Sequence, residues 1–175
     1  MLVALGGLPF TGKSTLARSL ADAIPGVLLD SASVQKALFP TLDVASREVS
    51  DWLYESVLKA ASWNLDSAPG TVIVLDGRPL TRNRDALSLR RFSETLGHEL
   101  YIVECVCPED VARARSVAAN APSLLSQATD PVPEPKIVVD TWQPLEQCVS
   151  IVLDALHVSL KRRGTPIPAE PMHPV

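Results

Sequence analysis

The 175-residue chain carries 16 Lys and Arg against 20 Asp and Glu, a net charge of −4, and 46% of its residues are apolar. That balance describes one folded domain with room for an ample core, and it excludes a generic polyanion-binding surface while leaving a local basic site open. No run approaches the roughly 20 apolar residues that span a bilayer, and the apolar start lacks the positive charge of a signal peptide, so a cytoplasmic protein is expected.

Residues 1–6 are a short aliphatic run bounded by glycine, which predicts a buried strand. Residues 13–24 follow with Leu16, Leu20 and Ile24 on one helical face, and Pro25-Gly26 stops them. Residues 27–30 form a second short strand ending on Asp30. Residues 31–39 then read as a helix with Val34 and Leu38 as core positions, broken by Pro40. The longest helix is predicted over 46–66, with Val49, Trp52, Leu53, Ala60 and Trp63 on one side and Asp51, Glu55, Ser62 and Asp66 on another. The acidic side reads as a solvated face.

Residues 71–76 are the clearest strand: β-branched, nearly all apolar, and ending on Asp76. A continuous apolar run suits a parallel strand covered on both faces. A helix over 81–96 and a strand over 99–106 come next. Pro108-Glu109-Asp110 then opens another helix, with proline and acids suited to its first turn. A strand over 137–140 and a helix over 144–162 complete the domain, set at 1–163. Residues 164–175 are rich in proline and read as a loosely held tail. Five short strands alternating with helices predict a three-layer α/β domain built on a parallel sheet.

The chemistry begins in the first loop. Gly7-Leu8-Pro9-Phe10-Thr11-Gly12-Lys13-Ser14 matches G-x-x-x-x-G-K-[ST] without a substitution, between a predicted strand and a predicted helix. Successive backbone N–H groups wrap phosphate oxygens, glycines permit the approach, and the lysine reaches the outer phosphates. Gly7, Pro9, Phe10, Thr11, Gly12, Lys13, Ser14 and Thr15 are therefore the expected nucleotide-binding set, Thr15 as a supporting neighbour. The Ser14 hydroxyl is expected to help hold Mg²⁺ beside ATP. Asp76, at the carboxyl end of a parallel strand, falls on the rim where ligands bind in open α/β sheets. It is expected to engage the metal or order its water, against the alternative of capping its own turn.

"GLPFTGKST", "VLLDSASVQKALFP", "VIVLDGRPLTRNRDAL", "VECVCPEDVARAR" and "IVVDTWQPLEQ" together resemble the small P-loop kinases. That nucleotide-kinase-like group includes polynucleotide 5′-kinase domains, zeta-toxin kinases and chloramphenicol phosphotransferase. The resemblance covers about residues 1–160 and implies a P-loop kinase fold with a short lid and the Asp76 strand beside the first strand. Members of the polynucleotide kinase branch often carry Asp-x-x-Arg after the second strand. Here Ala32-Ser33-Val34-Gln35 stands at the matching positions, so both charged members are missing. Asp30-Ser31 looks instead like the arrangement in chloramphenicol phosphotransferase, where the strand-end aspartate serves as base.

Asp30 is accordingly the candidate base for an acceptor hydroxyl, with a helix N-cap as its other reading. Arg113 and Arg115 resemble the lid arginines that neutralise a migrating phosphoryl group, and their spacing puts them on different helix faces. Arg78, Arg82 and Arg84 are candidates for holding an anionic part of the acceptor, with plain exposed charges as the alternative. The resemblance places residues 121–136 near the nucleotide base, and makes Asp140-Thr141 a loop organiser. His98, His157 and His173 lack metal-ligand spacing. Cys105, Cys107 and Cys148, odd in number, read as buried reduced thiols. Trp52 and Trp63 read as core rather than as the walls of an acceptor pocket.

The function expected is transfer of the ATP γ-phosphoryl group to a hydroxyl of a small molecule, with an antibiotic or nucleoside-like compound as examples. A 5′-hydroxyl nucleoside or polynucleotide kinase and a non-catalytic nucleotide-binding module are the alternatives. The acidic balance and the missing Asp-x-x-Arg count against nucleic acid.

Overall fold

Each aliphatic run becomes a strand, and each amphipathic stretch between two runs becomes a helix lying against them. The computed structural model describes residues 1–41, 47–68, 70–120 and 130–162. In chain order the elements are β1 (Leu2–Gly6), α1 (Lys13–Ala23), β2 (Gly26–Asp30), α2 (Ser31–Leu38), α3 (Arg47–Ser67) and β3 (Val72–Asp76). They continue with α4 (Asn83–Leu96), β4 (Leu100–Val106), α5 (Glu109–Ala118), β5 (Ile137–Asp140) and α6 (Leu145–Arg162). Boundaries follow the sequence expectation closely. The largest difference is α4, which starts at Asn83 because Arg82 stays extended as its N-cap and the Thr81 carbonyl accepts the Asp130 N–H at 2.7 Å.

The five strands form one parallel sheet in the order β2-β3-β1-β4-β5. The Asp76 strand lies beside the first strand, as the resemblance implied. Alternation along the strands divides the core in two, since successive side chains point to opposite faces. Leu2, Ala4, Ile73, Leu75 and Ile102 meet Val57, Ala61 and Leu65 of α3 and Ala86 and Leu89 of α4. Val3, Leu5, Val74, Val103 and Val139 meet Leu16, Ala17 and Leu20 of α1 and Cys148, Val152 and Leu156 of α6. Each large aliphatic side chain so buried contributes about 1.5–3 kcal/mol. This is the three-layer α/β arrangement expected.

Three core expectations are corrected. Trp63 is 72% exposed and Trp52 50% exposed, because the inward stripe of α3 is Leu53, Val57, Ala61 and Leu65. At ~100° per residue, both tryptophans lie roughly 120° or more around the helix from Val57. Trp52 instead meets Phe39 edge to face, with ring centroids 6.0 Å apart. Leu38, at the end of α2, is also exposed. Cys105 and Cys148 are buried and Cys107 is half-buried, all three as free thiols. The expected tail at 164–175 and positions 121–129 of the segment assigned to the nucleotide base lie outside the described residues. The remainder of that segment is strapped to α4, with the Pro133 and Pro135 carbonyls accepting from Arg90. Among the described residues no helix is long and apolar enough to cross a membrane.

Candidate active site

The phosphate loop hangs between β1, the middle strand of the sheet, and α1. Gly7 has φ 119°, its N–H donates to the Pro79 carbonyl at 2.7 Å, and a Cβ on it would collide with the Cys105 carbonyl oxygen. Only glycine fits such a turn. Gly12 (φ 85°) enters α1, and a Cβ there would stand 3.1 Å from Thr141 Oγ1. Between them Phe10 has φ 64°, a left-handed conformation that costs an L-residue about 1–2 kcal/mol.

Two elements far along the chain hold this shape. The Arg115 guanidinium donates to the Phe10 carbonyl at 3.2 Å and to the Thr141 carbonyl at 3.4 Å, tying α5 to the loop and to the end of β5. The Thr141 hydroxyl lies 2.6 Å from the Thr11 carbonyl and 3.2 Å from that of Val106, and the shorter contact takes its single proton. Asp140-Thr141 therefore organises the loop. Arg113, the other expected lid arginine, faces outward and pairs with Glu109 one turn earlier at 2.6 Å. Of the two, only Arg115 reaches the loop.

Inside the loop, Lys13 Nζ donates to the Leu8 carbonyl at 2.6 Å. Burial lowers its pKa, and the nearby Asp76 carboxylate opposes the shift. The Ser14 side chain lies beside the Asp76 carboxylate and favours its charged form, and Asp76 is only 7% exposed. Burial raises Asp76 above the ordinary carboxyl range; Ser14 and Lys13 oppose the rise and the nearby Asp30 charge adds to it. Pro9 is half-buried at the loop's bend, while Thr15 is exposed on α1.

Asp30 ends β2 directly beside Asp76, its partner in the parallel register. Its carboxylate caps α2, accepting the Ala32 N–H at 3.0 Å and the Ser33 hydroxyl at 2.6 Å. Close packing joins these strand ends: a Cβ on Gly77 would overlap Ser31 Oγ. Lys13, Ser14, Asp76 and Asp30 thus converge on one rim of the sheet.

The other arginines are spread over the start of α4 and the turn before it. Arg78 is turned inward, paired with Asp51 of α3 and, at 3.0 Å, with Asp85 of α4. Its guanidinium is therefore already paired with two carboxylates of the fold. Arg82 is exposed at the start of α4, and Arg84 lies 3.6 Å from Asp85. Beyond Asp51, a cavity of about 550 Å³ is lined by Glu48, Asp51, Trp52 and Glu55. The partners of Arg78 were not legible in advance because they sit 27 and 7 positions away; the placement of Asp85 one turn into α4 was the nearest available signal.

A phosphate loop on the central strand, an acidic strand end next to it, and helices on both faces define the P-loop kinase fold. A family model described as an AAA domain matches residues 2–137, and the chain belongs to that family. No curated protein matches the chain significantly. Among solved structures, the Mycobacterium tuberculosis APS kinase in complex with AMPPNP and APS superposes with a TM-score of 0.70 at 17% identity, covering 89% of this chain and 96% of its own. A Sinorhizobium meliloti gluconokinase gives 0.60 at 20% identity, covering 92% of this chain and 94% of its own. Shikimate kinase from Aquifex aeolicus gives 0.59 at 22% identity, with coverage of 92% and 99%. At such identities the likeness is one of fold.

Proposed function

We propose that the chain is an ATP-dependent kinase that transfers the γ-phosphoryl group to a hydroxyl of a small molecule. The observation that carries this reading is the convergence of Lys13, Ser14 and Asp76 on one rim with Asp30 one strand away. A backbone cradle of that shape, opening a helix, suits a polyphosphate. The fold's kinase relatives, one of them solved with AMPPNP, support the same donor.

Ser14 and Asp76 offer a hydroxyl and a carboxylate oxygen side by side, a hard-oxygen pair that fits Mg²⁺. When bound there, the ion would neutralise charge on the β- and γ-phosphate oxygens. Lys13 would exchange the Leu8 carbonyl for a terminal phosphate oxygen. Asp30 would accept the acceptor's hydroxyl proton as the new O–P bond forms and ADP leaves. Arg115 fixes the loop's curvature, and Arg113 belongs to the exposed face of α5. Arg82, exposed at the rim side of α4, is the cation open to a polar part of the acceptor.

The acceptor is neutral or cationic rather than a polyanion. Arg78 is already neutralised by two carboxylates, and the neighbouring depression is lined by Glu48, Asp51 and Glu55. An oligonucleotide would meet like charge there. The Asp30-Ser31 pair supports the finer likeness to chloramphenicol phosphotransferase, with an antibiotic or nucleoside-like alcohol as acceptor.

The deciding experiment is a γ-labelled ATP screen against hydroxylated metabolites, antibiotics and 5′-hydroxyl oligonucleotides, with products resolved by mass. Label on a small alcohol, lost in Lys13→Ala, is the expected result. Label on oligonucleotides alone would move the assignment to a nucleic-acid kinase. ATP binding without any transfer would leave a binding module.

A further inference from the structure

The Arg78 side chain is 17% exposed and lies at a junction of three elements. One guanidinium nitrogen meets Asp85 Oδ1 of α4 at 3.0 Å, the other meets Asp51 Oδ1 of α3, and the guanidinium carbon stands 4.5 Å over the Tyr54 ring. Its Nε is buried without a hydrogen-bond partner among the described residues. A planar cation held on two edges and one face has one orientation available, which a lysine could not reproduce. The backbone that carries it is equally constrained. Pro79 follows directly, and Leu80 takes φ 56° with its side chain buried in the core.

That turn touches the phosphate loop. The Pro79 carbonyl accepts the Gly7 N–H at 2.7 Å, and a Cβ on Gly6 would lie 3.2 Å from the same oxygen. The contacts therefore run in series: Asp51 on α3, Arg78, Pro79, then the first glycine of the loop. Asp51 also lines the depression on α3.

We infer that Arg78 is a positioning residue, a strut through which α3 and α4 hold the β3–α4 turn so that Pro79 pins Gly7 and sets the start of the phosphate loop. It acts through the Pro79 carbonyl and touches neither nucleotide nor acceptor. The strut does not require that the chain be a kinase; its effect on affinity rests on the nucleotide reading above.

The test is residue-resolved amide hydrogen exchange on the full chain, comparing wild type with Arg78→Met, Arg78→Lys and Asp51→Asn. Expected is exchange at Gly7 faster by on the order of tenfold or more in both Arg78 variants, with Val3 and Val74 unchanged. Asp51→Asn, at a half-exposed position, should give a smaller acceleration at the same amide. A general loss of protection across β1 and β3 would assign Arg78 to bulk stability and overturn the strut. Gly7 exchange unchanged in Asp51→Asn and Arg78→Lys would overturn it too. In parallel, calorimetric titration with Mg-ATP should show affinity reduced about tenfold in Arg78→Lys. Wild type that binds no nucleotide would refute the kinase reading, while variants that bind as tightly as wild type would refute the link from strut to loop.

Discussion

Replacing Gly7 with alanine isolates what the phosphate loop demands of its backbone. At φ 119° an L-residue is strained, at about 1–3 kcal/mol for a sparsely populated conformation. The new methyl also collides with the Cys105 carbonyl, a ladder atom of β4 that cannot turn aside. Displacing packed backbone adds about 1–3 kcal/mol, so the total is about 2–6 kcal/mol. Gly97→Ala is the matched control: its φ is 66° and a Cβ there meets nothing within 4 Å. It should cost only about 1–2 kcal/mol. Urea unfolding followed by circular dichroism gives both values, and Mg-ATP calorimetry on the folded fraction gives the functional effect. Gly7→Ala should lose most of the heat of binding while Gly97→Ala keeps it. Equal destabilisation by the two, with equal nucleotide affinity, would refute the argument that the loop is shaped from behind by β4.

Asp30→Asn keeps an oxygen for the Ala32 N–H, so stability should stay within about 0.5 kcal/mol while acceptor-dependent turnover falls about 10²–10⁴-fold; retained turnover in a kinetic assay would remove Asp30 as base. Asp76 has a raised folded pKa, so the native chain holds that proton to higher pH than the unfolded one. Its contribution to stability therefore falls as pH rises from the ordinary 3.8 through the raised value. Asp76→Asn should flatten that decline and raise Tm at neutral pH while abolishing turnover; a Tm difference that does not vary with pH would contradict it. Arg115→Ala should cost about 1.5–3 kcal/mol and weaken Mg-ATP binding, whereas Arg113→Ala should change stability by under about 1 kcal/mol. The reverse ranking in melts and titrations would give the lid role to Arg113.

What could be read in advance was whatever depends on near neighbours. The strand runs and the G-x-x-x-x-G-K-S loop are local patterns, and they placed β1, α1 and the Asp76 strand end correctly. Asp30 was legible as both cap and rim carboxylate because both readings follow from ending a strand and starting a helix. The rest depends on phase and distance. Trp52 and Trp63 fell on the wrong side of α3 because they share a stripe of their own, only about 20° apart around the helix, beside the Leu53, Val57, Ala61 and Leu65 stripe that packs inward. Spacing separated Arg113 from Arg115 without saying which faced inward, since that is fixed by Phe10, 105 positions away. Nothing within reach of Arg78 in the chain announced Asp51. Contacts of this kind form only once the sheet has set the helices side by side.

The strand order has a consequence for how the molecule softens. β1 is the middle strand and fully buried, whereas β2 is an outermost strand, paired on one side and half-buried along its whole length. Cooperative opening starts where the fewest neighbours must be given up. On gentle warming, the Asp30 corner should fray while the glycine loop still keeps its form. If the proposed function holds, such a molecule would part with its grip on the acceptor well before the nucleotide, a graded melting written into the sheet's sequence of strands.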